Sequence, residues 1–153
     1  MDALDPRLRG DDEMRREPDM PHCVILYTPN LEAKTDVARL CRTLADEMLT
    51  ILDEGGKQVF PTGGTRVLAY PAAHYAVADG QGDYGFMYLN VRMAAGRSEA
   101  VKRDAGDRLL ARVKEHFAPI FGAELVGITL QIDESPGQVY DGKHSTLHPL
   151  FNK

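Results

Sequence analysis

What the chain lacks narrows the field first. Only two cysteines, Cys23 and Cys41, occur in 153 residues, too few for a disulfide scaffold, and neither has a partner at metal-ligand spacing. Both fall on apolar faces of an expected strand and helix, where cysteine behaves as a small hydrophobe, so a reducing cytoplasm is the expected setting. No apolar run approaches the ~20 residues that a membrane span needs. There is no basic stripe, and the formal net charge is −5, which argues against nucleic acid and anionic membrane as partners. No serine, cysteine or lysine stands in a nucleophile motif, and no glycine-rich loop opens a helix to cradle phosphate. Gly63-Gly64 and the glycines of 79–82 precede strands instead. Five histidines are present. His144 and His148 have a helical metal spacing but lie in a Pro- and Gly-flanked tail, and no metal is expected there. His116 is expected on a solvated helix face. Asp79 and Asp83 read as turn formers.

What is there is one domain's length of ordinary soluble composition, preceded by a different kind of segment. Residues 1–20 mix charges of both signs, seven acids and four bases, with few apolar residues and no period. Such a composition reads as a disordered or spurious extension, and it has no apolar core of signal-peptide type. Met14 and Met20 offer later starts, and without residues 1–20 the formal charge is −2. The folded domain is then 21–153.

That domain opens on Pro21. Proline cannot donate to a sheet ladder and suits the first position of a strand, and residues 22–27 form a continuous apolar run of strand length. A helix is expected from about 33 to 52, with Val37, Leu40, Cys41, Leu44, Met48 and Ile51 on one face and Glu47 largely away from it. Gly55-Gly56 is expected to cap its end. A strand follows at about 65–70, stopped by Pro71. From Tyr84, Gly85, Met87, Leu89, Val91 and Met93 alternate with Phe86, Tyr88, Asn90 and Arg92. Ser98 is placed to cap a second helix running to about 121, and 125–134 alternates again. The sum is strand–helix–strand twice, each unit long enough for a right-handed crossover between parallel strands. The expected class is α+β, two β-α-β units making a four-stranded sheet with two helices on one face. Phe86 and Tyr88 on the other face suggest subunit contacts.

The candidate chemistry rests on arginines at strand ends and on Pro21. Arg66 begins a strand, and Arg97 sits in the loop before a helix N-terminus, where a fork of donors suits an anion. If the chain begins at Pro21, its secondary amine is a possible general base; if it begins at Met1, the same nitrogen is an amide without basicity.

Met20-Pro21-His22 before a buried strand, Ala78-Asp79-Gly80-Gln81-x-Asp83-Tyr84-x-Phe86, Ala95-Gly96-Arg97-Ser98 and His116-Phe117 together resemble the 5-carboxymethyl-2-hydroxymuconate delta-isomerases of the tautomerase superfamily, over about residues 20–151. The resemblance implies a homotrimer, no cofactor, an N-terminal proline base and ketonisation of a ring-cleavage product in homoprotocatechuate (4-hydroxyphenylacetate) breakdown. It carries the catalytic roles onto Pro21, Arg66 and Arg97, and implies a small anionic polycarboxylate dienol as substrate. The stretch between Arg66 and Asp79, with Tyr70, Pro71, His74 and Tyr75, departs from the family pattern and leaves the substrate open. The alternatives are a tautomerase for another 2-hydroxydienoate or keto-enol acid, with a pocket around Arg66, His74 and Tyr75, or a non-enzymatic trimeric binding module if Pro21 is not N-terminal.

Overall fold

A computed structural model of the protein describes residues 22–151. Pro21, the 1–20 extension and residues 152–153 lie outside the described residues. Four strands, β1 (His22–Tyr27), β2 (Arg66–Pro71), β3 (Gly85–Ala94) and β4 (Val126–Ser135), form one sheet in the order β2-β1-β3-β4. Helix α1 (Val37–Thr50) joins the parallel pair β1 and β2, and α2 (Glu99–Phe121) joins the parallel pair β3 and β4. The two units meet through β1 and β3, which are antiparallel. A short α3 (Leu147–Phe151) ends the described chain. The α+β class and the paired strand–helix–strand units agree with the sequence reading. Among the described residues no helix is long and apolar enough to cross a membrane.

Register explains which residues are inside. Partners across neighbouring strands share a face, and the face alternates along each strand. One face is built of three rows, Val67–Cys23–Val91–Ile132, Ala69–Ile25–Leu89–Leu130 and Pro71–Tyr27–Met87–Ile128. Leu40, Leu44 and Met48 of α1 and Ala105, Leu109, Val113 and Phe117 of α2 close over it, all buried. Burial drives the Cys23 thiol pKa up to about 12, with Cys41 adding to the rise, so Cys23 is the inert core hydrophobe expected.

Both helices start on the side chains that their caps require. Asp36 accepts the Arg39 N–H at 3.0 Å and Ser98 accepts the Val101 N–H at 3.2 Å, each satisfying a donor that the first turn leaves without a partner. The first helix therefore begins at Val37 and not near 33, because Pro29–Leu31 forms a separate 3-10 turn. It ends at Thr50, where Ile51 turns extended and Leu52 pairs with Gln58. Gly55-Gly56 consequently lies in the turn of that small hairpin and is not the helix cap. Gly56 adopts φ +81° there and gives its N–H to the Asp53 carbonyl, a conformation that glycine takes without strain. Pro71 belongs to β2 as its last residue, tolerated because β2 is an edge strand.

Two polar side chains depart from expectation. Glu47 is buried between the helices, accepting from Arg108 Nε at 2.8 Å and Arg112 Nε at 2.9 Å. His116 is half-buried, its Nε2 2.7 Å from Thr35 Oγ1, and burial, followed by the charge of Arg39, lowers its pKa. The C-terminal segment packs on its own chain: α3 lies over the Thr62–Gly64 turn, so that a Cβ on Gly63 would stand 3.4 Å from the His148 Cα.

Candidate functional site

The topology collects the candidate residues at one end of the sheet. β1 and β2 both begin at that end, and β3, running the opposite way, finishes there. His22, the residue after Pro21, is in register with Arg66 on one side and Arg92 on the other. These three lie on the face that the helices leave uncovered, in a row completed by Asp133. The next rows on that face are Leu68–Val24–Asn90–Gln131 and Tyr70–Leu26–Tyr88–Thr129. The Arg66 Nη1 donates to the Gly64 carbonyl at 3.1 Å, which ties the side chain back to the turn that opens its strand.

Arg97 stands three residues past the end of β3, at the same end of the sheet, but its guanidinium is already engaged. Nη1 donates to Asp53 Oδ2 at 3.1 Å and Nη2 to the Val59 carbonyl at 3.4 Å. Both partners come from the segment between α1 and β2, and the neighbouring Ser98 hydroxyl donates to Glu54. Asp53 is itself held by the turn: Oδ1 accepts the N–H groups of Gly55 and Lys57. The Lys57 N–H is the largest cause holding its carboxyl below the usual aspartate range, with Gly55 and the charge of Arg97 acting the same way against partial desolvation.

Other sequence candidates lie elsewhere. The six residues of β2, at about 3.3 Å each, carry the chain roughly 17 Å from Arg66 before His74 and Tyr75 follow, so a single chain does not build one pocket around Arg66, His74 and Tyr75. The 78–86 motif also sits at the far end, where β3 begins. There Asp79 accepts from the Gln81 N–H and the Tyr84 hydroxyl, and Asp83 accepts from Asn30 and Lys34. Asp79 is the turn former read from the sequence, whereas Asp83 lies outside the turn and ties the start of β3 to Asn30 and Lys34. Asp53 was not singled out by sequence: it meets Arg97 across 44 residues, and no local pattern carries that contact. Arg92 was legible only as a residue opposite the apolar set of its strand, and the register adds that it faces His22. Among the described residues no group of three or more His, Cys, Asp or Glu side chains is arranged to hold a metal.

A family model described as 5-carboxymethyl-2-hydroxymuconate isomerase matches residues 21–151. The Escherichia coli 5-carboxymethyl-2-hydroxymuconate Delta-isomerase is 28% identical over 132 residues, 86% of this chain and 99% of that protein. A solved 5-carboxymethyl-2-hydroxymuconate delta-isomerase is 53% identical with a TM-score of 0.83, over 88% of this chain and 95% of that one. A 5-carboxymethyl-2-hydroxymuconate isomerase from Deinococcus radiodurans R1 is 32% identical with a TM-score of 0.74, over 88% and 96%. At the level of the fold alone, the architecture is shared with a fused 4-OT wild type asymmetric trimer, 16% identical with a TM-score of 0.55 over 85% and 98%.

Proposed function

We propose that this chain, which belongs to the 5-carboxymethyl-2-hydroxymuconate isomerase family, ketonises 5-carboxymethyl-2-hydroxymuconate in aromatic catabolism with Pro21 as the base. The observation that carries the reading is the gathering of the β1 start, Arg66 and the Arg97 loop at one end of the sheet. An N-terminal amine titrates near about 8 in model compounds. Burial of such an amine, or a guanidinium charge beside it, disfavours the protonated form and brings the neutral base toward working pH. The neutral nitrogen takes the proton of the 2-hydroxyl as the C2–O bond becomes a carbonyl. The displaced π electrons shift along the conjugated chain, and the same proton is returned to a carbon further along it. No atom is gained or lost. Arg66, and Arg97 through the N–H groups that Asp53 and the Val59 carbonyl do not take, stabilise the negative charge on the substrate oxygens and bind the carboxylates.

The reading requires Pro21 to be N-terminal in the active protein, so residues 1–20 are absent or inhibitory there, and the domain is 21–153. It is supported by the start of the family match at residue 21. The reaction belongs to the cytoplasm, in keeping with two free cysteines. A homotrimer is part of the same reading: Leu26, Leu68 and Tyr70 are about half exposed on the uncovered face, an apolar surface of the kind that a neighbouring subunit covers.

The test compares protein made from Met20, with that methionine removed, against protein that keeps residues 1–20, each verified by intact mass. Ketonisation followed by dienol absorbance is expected only from the chain that starts at Pro21. Equal activity from both, or from a Pro21→Ala variant of the short form, overturns the mechanism.

A further inference from the structure

We propose that Arg92 is a further substrate-binding residue, taking a carboxylate that distinguishes a tricarboxylate dienol from a dicarboxylate one. The inference rests on the isomerase reading and deepens it. Arg92 lies directly across from His22, on the uncovered face, with Arg66 across from His22 on the other side. With strands about 4.8 Å apart, the Arg66 and Arg92 backbones stand roughly 10 Å from each other over the residue that follows Pro21.

Its own acidic neighbour does not neutralise it. Asp133 is in register with Arg92, yet its Oδ2 accepts from the Asn90 amide at 2.8 Å. Among the described residues Arg92 makes no ion pair or hydrogen bond through its side chain, whereas Lys34, Lys102, Arg108 and Arg112 are all paired. An exposed guanidinium held on a rigid strand, beside a second arginine and a histidine, is a preorganised receptor for a carboxylate. The family substrate has three carboxylates, two from the muconate and one from the carboxymethyl group. Arg66 and Arg97 supply two forks, and Arg92 supplies a third from the same end of the sheet.

The test uses Arg92→Gln and Arg92→Lys, with Lys114→Gln on the exposed side of α2 as a charge-matched control. KM and kcat are measured for 5-carboxymethyl-2-hydroxymuconate and for 2-hydroxymuconate, which lacks the carboxymethyl arm. Binding of propane-1,2,3-tricarboxylate is measured by calorimetry, and subunit association by sedimentation. Arg92→Gln is expected to raise KM for the tricarboxylate about ten- to hundred-fold, with a smaller effect on kcat and on the dicarboxylate, and to weaken tricarboxylate binding in proportion. Arg92→Lys is expected to recover part of the loss. Equal losses for both substrates, behaviour matching Lys114→Gln, or a change in subunit association that accounts for the loss overturns the assignment. If the parent protein does not ketonise either substrate, the isomerase reading fails separately, and the calorimetric comparison still decides whether Arg92 binds the anion.

Discussion

Replacing Glu47 with glutamine removes one negative charge from between two arginines while keeping the side chain's shape. The carboxylate is only 9% exposed and accepts from both Arg108 Nε and Arg112 Nε. A hydrogen bond to a charged group is worth about 1.5–3 kcal/mol, and breaking a buried ion pair costs more still. Both guanidiniums are more than a third exposed, however, at 38% and 44%, so water screens the attraction and rehydrates them after the change. Glutamine also keeps one acceptor oxygen. The expected net loss is about 1.5–2.5 kcal/mol, or roughly 4–8 °C in Tm for a chain of this size, measured by far-UV circular dichroism at fixed protomer concentration. The loss also has a pH signature. Burial by itself would raise the Glu47 pKa, but the hydrogen bonds and charges of Arg112 and Arg108 outweigh it and hold the carboxyl below its ordinary value. A carboxyl lowered on folding stabilises fully above its unfolded pKa and loses that contribution as pH falls through the folded one. The gap between parent and variant should be full at pH 7, narrow below about pH 4.5 and close in stronger acid. A gap that is absent at pH 7, or unchanged in acid, refutes the reasoning that charge and not packing gives Glu47 its effect.

Two further perturbations address the ends of the site. Asp53→Asn keeps an oxygen for the Gly55 and Lys57 amides but turns an amide toward Arg97, so turnover should fall roughly ten-fold through misplacement of the guanidinium while the denaturation midpoint barely moves. An unchanged kcat/KM would show that Arg97 works without this anchor. Gly63→Val adds branched carbons where a Cβ already touches the His148 backbone, so α3 should lift from the Thr62–Gly64 turn and become sensitive to limited proteolysis. Unaltered protection would show that α3 tolerates the added bulk.

The architecture was legible because its signals are local. Alternation in Gly85–Ala94, the helical spacing from Val37 to Met48 and the cap at Ser98 each depend on residues a few positions apart, and the packed sheet keeps those preferences. The misreadings share a physical cause. Glu47 looked like a solvated residue because a charge near the edge of an apolar stripe is ordinarily exposed; its burial depends on two arginines about sixty positions later. Gly55-Gly56 looked like a helix cap because glycine favours both a cap and a hairpin turn, and the Leu52–Gln58 bridge decides between them. At the candidate site, the sequence marked Pro21, Arg66 and Arg97 as separate strand and loop ends. That β1, β2 and β3 share one end is a property of strand order and direction, which single-chain periodicity does not encode.

That strand order also resolves an apparent tension in charge. A net charge of −5 opposes a polyanion at long range, yet the field that a bound anion meets is set by groups within about a Debye length, ~8 Å at physiological salt. Several of the acids in the described chain are committed locally: Glu47 to Arg108 and Arg112, Asp83 to Lys34, Glu134 to Lys102 and Asp53 to Arg97. The register then sets Arg66 and Arg92 on either side of His22, with the nearest acid in that row, Asp133, drawn to Asn90. The register thus places the side chains of Arg66 and Arg92 at one end of the uncovered face while the molecule as a whole is acidic. Under the proposed function a tricarboxylate dienol meets that placement before it meets the net charge, so its affinity should depend on substitutions within this row and only weakly on charge changes made on the outer surface of α2.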